Sequence, residues 1–395
     1  MLAGSKIVLG ITGGIAAYKA AGLTRLLVKQ GGAVQVIMTA HAREFITPRT
    51  LQTLSGHAVN SEMFAPWQEA GIAHISLADY ADILVIAPAT ANIIGKIAGG
   101  LADDLLTTTV MATKAPVLLC PAMNATMLAQ ASVQENMEKL ASRGYFFLAP
   151  AYGDLACKTE GAGRLPEIDE IVEEIETILT AKDLAGEKIL VTAGPTREPL
   201  DPVRFITNYS SGKMGYALAI IAKRRGADVT LVSGPSTFPF PRGVKCIGVS
   251  TALEMRDAVL EHYQQATVVI KAAAVADYRP AVRAESKIKK RDDTLLLTLE
   301  RNPDIIDELG KKKGNRLLIG FAMESENLVE NAVSKMMKKN MDYIVANLVT
   351  REGAGFQCDT NIVTIIGRNG AIEELPLMDK MQVADKILDK ISGRN

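Results

Sequence analysis

The sequence predicts an α/β protein built from two tandem doubly wound parallel-sheet domains, flavodoxin-like or Rossmann-like in type, on three observations. Short, continuously apolar runs alternate with longer runs of helical periodicity, a glycine-containing turn follows the first apolar run of each half, and the pattern restarts near residue 188. Continuously apolar strands separated by helices mark a parallel sheet covered on both faces, whereas a sheet with one wet face would alternate apolar and polar residues.

In the first half, Ile7–Gly10 reads as a buried strand, Ala16–Gln30 as a helix closed by Gly31 and Gly32, and Val34–Met38 as the next strand. Ile83–Ala87 and Val117–Cys120 are two further strands, expected to stop at Pro88 and Pro121. Pro166 opens an acidic helix, Glu167–Leu179, with Ile168, Ile171, Val172, Ile175 and Ile178 on one face. Ala181–Glu187 reads as a linker, so the domains are expected at 1–186 and 187–395. The second half then runs strand Lys188–Thr192, a Gly-Pro turn, a long polar loop, helix Lys213–Arg225 capped by Ser210 or Ser211, and strand Val229–Ser233.

Bulk properties narrow the function classes. A chain of 395 residues, 48% hydrophobic and 22% charged, has the length and composition of two globular domains. Lys+Arg and Asp+Glu both number 44, so no nucleic-acid or membrane partner is expected. Basic and acidic residues number 13 and 18 over 1–183 but 31 and 26 over the remainder, which makes the second half the one suited to an anionic ligand. Cys120, Cys157, Cys246 and Cys358 form no CxxC pair or zinc spacing, which points to a reducing compartment, the cytoplasm. The apolar start from Ile7 to Ala17 holds Gly10, Gly13 and Gly14 and runs into Lys19, unlike a signal peptide. No stretch approaches the ~20 apolar residues that span a bilayer.

The motifs lie where such sheets bind ligands. GITGGIAAYK places Gly13, Gly14, Ile15 and Ala16 between first strand and helix, where backbone N–H groups can approach a phosphate. The second strand ends at Met38-Thr39, with no acid to hold a ribose hydroxyl, and Thr39 suits a terminal monophosphate. Thr90 and Asn92 follow a strand in APATAN, and Asn124 does so in PAMN. Each fits a helix N-cap as well as a ligand contact. His74 lies between apolar neighbours, and Cys157 lies in the glycine-rich segment GDLACKTEGAGR. A cysteine in such a loop has no packing duty and is open to chemistry.

In this order, GGIAAYK, the lone histidine, APATAN, PAMN and the cysteine flap with its GxGR resemble the flavin-dependent cysteine decarboxylases, over about 160 residues. The resemblance implies FMN as cofactor, with His74 assisting oxidation of the cysteinyl group, Asn124 holding the departing carboxylate and Cys157 protonating the enethiolate. Lys158 stands where relatives usually have glycine, which leaves the tuning of that step open.

The second half is not a Walker A loop, because Gly212-Lys213 is followed by Met214 and Thr207 occupies the place of the required glycine. AGPTREPLDPVRFITNYSSGKMG, with AAVADY, KIKK, NPDII and GFAMES, resembles the CTP-dependent phosphopantothenate–cysteine ligases over nearly all of 187–395. That resemblance implies Asn208 acting on an acyl-cytidylate and Lys287 on the triphosphate. Around the nucleotide it implies Lys271, Ala272, Ala273, Asp277, Pro303, Asp304, Ile305, Ile306 and Phe321, with Lys335 and Lys339 completing the phosphate site. Lys271 stands where a small residue is common. Mg2+ would accompany the CTP phosphates, on ligands that the sequence does not identify. The substrates implied are 4′-phosphopantothenate, cysteine and CTP. FMN sites at trimer interfaces and ligase dimers would build a large homo-oligomer such as a dodecamer. Two competing readings, an NAD(P)H oxidoreductase and a non-catalytic regulatory subunit, are disfavoured by Thr39 and Ser233 at the second strand ends and by the presence of His74, Asn124 and Cys157.

Overall fold

The computed structural model describes residues 2–63, 72–154, 160–289, 295–324, 326–348 and 358–392. It divides into two units, one ending at Thr180 and one beginning at Ala181. In the first unit β1 (Lys6–Ile11) passes through a 3-10 turn (Ile15–Tyr18) into α1 (Lys19–Lys29) and β2 (Ala33–Met38). The single helix expected from Ala16 is therefore split, because the glycine turn winds tightly before α-helical geometry begins. The chain continues through α2 (Pro48–Ser55), α3 (Ala73–Tyr80), β3 (Ile83–Ala89), α4 (Ala91–Gly99), α5 (Leu105–Ala112) and β4 (Val117–Pro121). It then forms α6 (Ala125–Leu128), α7 (Ala131–Ser142) and β5 (Phe146–Phe147). The sheet order is β2-β1-β3-β4-β5, parallel throughout.

Pro121 ends β4 as expected, whereas Pro88 lies inside β3, which runs on to Ala89. The β3–β4 ladder shifts register between Ile86 and Ala89, so Pro88 occupies an irregularity where its missing N–H costs little. An antiparallel hairpin of β6 (Ala151–Asp154) and β7 (Glu160–Arg164) follows. Next, α8 (Ile168–Leu179) buries Ile171, Val172 and Ile175 against the sheet on the face its periodicity predicts.

The second unit begins with β8 (Lys188–Ala193), β9 (Glu198–Pro199) and β10 (Phe205–Ile206), so the expected polar loop contains a small hairpin. Then come α9 (Lys213–Arg224), β11 (Asp228–Ser233), β12 (Lys245–Gly248), α10 (Ala252–Tyr263), β13 (Val268–Lys271), β14 (Tyr278–Pro280) and β15 (Leu299–Arg301). The chain closes with α11 (Ile305–Lys311), β16 (Leu317–Glu324), α12 (Leu328–Lys338), β17 (Tyr343–Leu348), β18 (Thr360–Asn361), β19 (Thr364–Gly367), β20 (Ile372–Glu374) and α13 (Lys380–Ser392). The main sheet has the order β12-β11-β8-β13-β16-β17-β19-β20. Its strands from β12 to β17 are parallel, but β19 and β20 are antiparallel, so this sheet is mixed at one edge.

The cap of α9 is neither Ser210 nor Ser211 but Gly212, at φ +84°. A Cβ there would lie 3.1 Å from Gly194 Cα, and one at Gly215 only 2.5 Å from Ala193 Cβ. Glycine is needed because the helix start presses directly on the turn after β8.

Residues 181–187, read from sequence as a linker, pack on the second unit. Leu184 is buried in its core and donates its N–H to Arg225 O at 3.0 Å, while Lys182 Nζ donates to Arg224 O at 2.7 Å. Arg225 itself is buried. It reaches Asp183 (Nε–Oδ1 2.9 Å), Asp385 (3.0 Å) and Asp389 (2.9 Å), joining this segment to α13. Among the described residues no helix is long and apolar enough to cross a membrane. Arg225→Ala should remove these charge-assisted bonds and destabilise the second unit by ~1.5–3 kcal/mol, leaving the first unit's transition in place. Calorimetry resolving the two transitions checks this, and equal displacement of both would refute it.

Candidate active sites

In the first unit, the strand order reverses between β1 and β3, which opens a cleft at the carboxyl ends of these strands. The turns around the cleft are tied together. Thr12, buried, donates from Oγ1 to Pro88 O at 2.7 Å and accepts from Thr90 N at 3.2 Å. Thr39 N donates to Ile11 O at 3.1 Å. The 3-10 turn Ile15–Tyr18 starts at an extended Gly14 and the turn Ala40–Glu44 starts at Thr39, both without a side-chain cap. Two uncapped amide ends beside one cleft can receive an anion. Gly13 is required sterically, since a Cβ would fall 2.3 Å from His41 Cβ, whereas at Gly14 the nearest atom would be Thr90 Cγ2 at 3.5 Å.

Thr90 caps α4, accepting from Ile93 N at 3.4 Å, while Asn92 is exposed in the first turn of that helix. Asn124 Oδ1 caps α6, accepting from Thr126 N at 2.8 Å and Met127 N at 3.4 Å. Thus Thr90 and Asn124 are caps and Asn92 is not, and the cap fixes the orientation of the Asn124 amide. His74 is the second residue of α3. Its Nδ1 is buried without a hydrogen-bond partner among the described residues. Cys157 and Lys158 lie outside the described residues, between β6 and β7. The hairpin that carries them is anchored beside Asn124: Met123 N donates to Gly163 O at 3.0 Å, and a Cβ on Gly163 would meet Met123 O at 2.1 Å. The GxGR glycine therefore serves a backbone contact.

In the second unit, the reversal lies between β8 and β13. Asn208 crosses it, with Nδ2 donating to Ala274 O at 2.6 Å and Oδ1 accepting from Ser210 N at 3.0 Å. Two threonines that the motif reading passed over brace the same crossing. Thr192 Oγ1 accepts from Ala273 N at 3.2 Å, and Thr196 Oγ1 accepts from Ala276 N at 3.0 Å. Asn302, also passed over and buried, donates Nδ2–H to Ala276 O at 2.8 Å and its own N–H to Asp277 O at 2.8 Å. It thereby sets Pro303 and Asp304 next to the end of β13. Thr196 and Asn302 fall inside the quoted motifs and Thr192 directly before one, but only the tertiary contacts assign them a task.

The cationic group consists of Lys271, Lys335 and Lys339 around Asp304. Lys339 Nζ lies 2.6 Å from Asp304 Oδ2, and Asp304 Oδ1 caps α11 by accepting from Asp307 N at 3.2 Å. Burial pushes the Lys271 pKa down to about 8; the Asp304 charge opposes this, and Lys339 and Lys335 add to it. Burial would raise the Asp304 carboxyl, but the Lys339 hydrogen bond and charge hold it below the usual range. Ala272 and Phe321 pack against the core, half-buried, and Asp277 is exposed. Ile305 and Ile306 are buried in the core, so the expected nucleotide contact there is open only to their backbone. Lys287 is exposed on the segment after β14, outside the Lys271 group. The run Lys311–Lys313 is used structurally, in ion pairs to Asp307, Glu308 and Asp342. Among the described residues no set of His, Cys, Asp or Glu side chains is grouped to hold a metal ion.

Residues 1–180 match the flavoprotein family, and residues 184–394 match the DNA/pantothenate metabolism flavoprotein C-terminal domain. The coenzyme A biosynthesis bifunctional protein CoaBC of Vibrio cholerae is 49% identical over 99% of this chain and 98% of its own length. That of Bacillus subtilis is 47% identical over 100% of this chain and 98% of its own. A crystal structure of the C-terminal domain of a CoaBC protein is 47% identical, covers 54% of this chain and 97% of that chain, and has a TM-score of 0.47. The two family matches and the full-length relatives define a two-unit enzyme, a flavoprotein joined to a ligase. The chain belongs to the family of CoaBC bifunctional proteins of coenzyme A biosynthesis.

The Lys271 environment sets a pH dependence. Its folded pKa of about 8 lies below the ordinary 10.5, so between these values the unfolded chain binds more protons and stability rises with pH. Below that window the buried charge weighs fully on the folded state. Lys271→Met should raise the melting temperature of the second unit at pH 7, by an amount that vanishes toward pH ~10.5. A difference that stays constant across this range would show that Lys271 is not the titrating group.

Proposed function

We propose that the chain converts 4′-phosphopantothenate to 4′-phosphopantetheine in two steps, one in each unit. The observation that supports this reading is that Gly14, Thr39 and Thr90 stand around the strand-order reversal of the first sheet, while Asn208 lies at that of the second, with Lys271, Lys335 and Lys339 grouped near the end of β13.

In the ligase step, the substrate carboxylate attacks the α-phosphorus of CTP and pyrophosphate leaves. The amine of cysteine then displaces CMP from the acyl-cytidylate. A carboxylate oxygen is a poor leaving group until it is phosphorylated in this way. The lysines would offset the triphosphate charge, together with Mg2+ carried on the phosphates. Asn208, with one amide hydrogen directed at Ala274 O, has a second to donate to the acyl oxygen. Lys287 would reach the triphosphate from its exposed segment.

In the decarboxylase step, the residues at the first cleft suit FMN: the two uncapped turns at Gly14 and Thr39 can receive its monophosphate. When bound, FMN supplies the two-electron oxidation of the cysteinyl group and its reversal after CO2 is lost. Asn124, held by its capping bonds, would orient the carboxylate, His74 would accept a proton at its unpartnered Nδ1, and Cys157 would protonate the enethiolate. Ile15 and Tyr18, each 59% exposed beside the glycine turn, suit a neighbouring subunit that closes the site, and Phe205 and Tyr209 on the second unit suit another. On this reading the protein is a cytoplasmic homo-oligomer of FMN-site trimers and ligase dimers.

Given phosphopantothenate, cysteine and CTP, the whole chain should release pyrophosphate and CO2. Residues 181–395 alone should release pyrophosphate and no CO2. A folded fragment without ligase activity would overturn the division of labour. Cys157→Ser should release CO2 but stop at the enethiol, since a hydroxyl is a far weaker acid than a thiol with its pKa of about 8.5. Mass spectrometry separates that product from phosphopantetheine by two hydrogens, and full reduction by the variant would remove Cys157 from this role.

A further inference from the structure

Beyond β14 the chain runs through residues 281–289, carrying Lys287. Ala281 N is bonded back to Thr298 O at 3.0 Å, within the β14–β15 arm. After that point the segment is held by the turn between β9 and β10. Ala284 N donates to Leu200 O at 2.9 Å, Ile288 N donates to Asp201 Oδ2 at 3.1 Å, and Arg204 Nη2 donates to Ile288 O. Both backbone groups of the residue adjoining Lys287 are thus gripped by the turn between β9 and β10.

Asp201 divides its oxygens between two tasks. Oδ1 closes its own turn, accepting from Val203 N and Arg204 N, each at 2.8 Å. Oδ2 reaches Ile288, 87 residues further along the chain, and lies 3.0 Å from Arg204 Nε as an ion pair. The carboxylate side chain is 0% exposed. Burial works against its charge, but the three N–H bonds and Arg204 hold the carboxyl below the usual range. A turn needs only one acceptor oxygen, which serine or asparagine also supplies. The second oxygen pairs with Arg204 inside the turn and, in addition, accepts the distant Ile288 N–H, which turn closure does not require.

We infer that Asp201 is a positioning residue for Lys287: through Oδ2 it fixes the backbone at Ile288, and with it the base from which the exposed ammonium reaches the nucleotide. The inference rests on the reading of Lys287 as a triphosphate contact. A lysine has four rotatable side-chain bonds, so its charge is effective only when its own backbone is held still.

Asp201→Asn and Asp201→Ser in the full chain test this, because both can still close the turn but neither presents an anionic oxygen to Ile288 N–H. We expect kcat/KM for CTP, followed by pyrophosphate release, to fall about ten-fold or more. The KM for cysteine should hold, and hydrogen exchange should quicken at Ile288 but not at Val203. Combining Asp201→Asn with Lys287→Gln should cost no more than Lys287→Gln alone, as expected for residues acting in series. CTP kinetics within two-fold of the parent in both variants, or multiplying losses in the double variant, overturn the inference while leaving Lys287 in its role. If Lys287→Gln itself leaves CTP use intact, the Lys287 reading falls, and the inference with it.

Discussion

Each unit depends on one constraint, the reversal of strand order in a parallel sheet. Right-handed crossovers place successive strands first to one side of the starting strand and then to the other. Loops on either side of that point diverge, and a cleft is left at the carboxyl ends of the strands. In the first unit it falls between β1 and β3, in the second between β8 and β13. Hydrogen bonds tie the loops around each reversal: Thr12 bridges Pro88 and Thr90, and Asn208 bridges Ala274 and Ser210.

The two clefts are fitted for anions in different ways. The first offers two turns without side-chain caps, which on the proposed reading would hold a monophosphate through backbone dipoles. The second gathers three lysines around Asp304, whose pairing with Lys339 leaves the group net positive. Holding Lys271 at the end of β13 weakens its hold on a proton, an arrangement that a bound polyphosphate would relieve.

The motif glycines and asparagines turn out to have separable duties. Gly13, Gly163 and Gly215 are dictated by backbone and Cβ approaches, to His41, Met123 and Ala193. Gly14 has room for a Cβ and is free to serve a ligand. Asn124 is both a helix cap and a candidate carboxylate contact, and the first role prepares the second by fixing the amide plane. Motif spelling alone does not separate these cases, because a steric need and a chemical need select the same residue.

By itself the sequence determined the two-fold α/β plan, the strands from β1 to β4 and the amphipathic face of α8. These follow from local periodicity, which a continuous run of residues contains in full. It also named the motifs at both clefts. Only the tertiary structure decided that Pro88 lies within β3, that Gly212 caps α9, and that residues 181–187 pack on the second unit through Leu184 and Arg225. It likewise turned the side chains of Ile305 and Ile306 into the core and brought Lys271 to Asp304, Lys335 and Lys339. The Asp201–Ile288 bond joins residues 87 apart. Such contacts depend on how crossovers and hairpins fold back on one another, and no local spacing encodes that return.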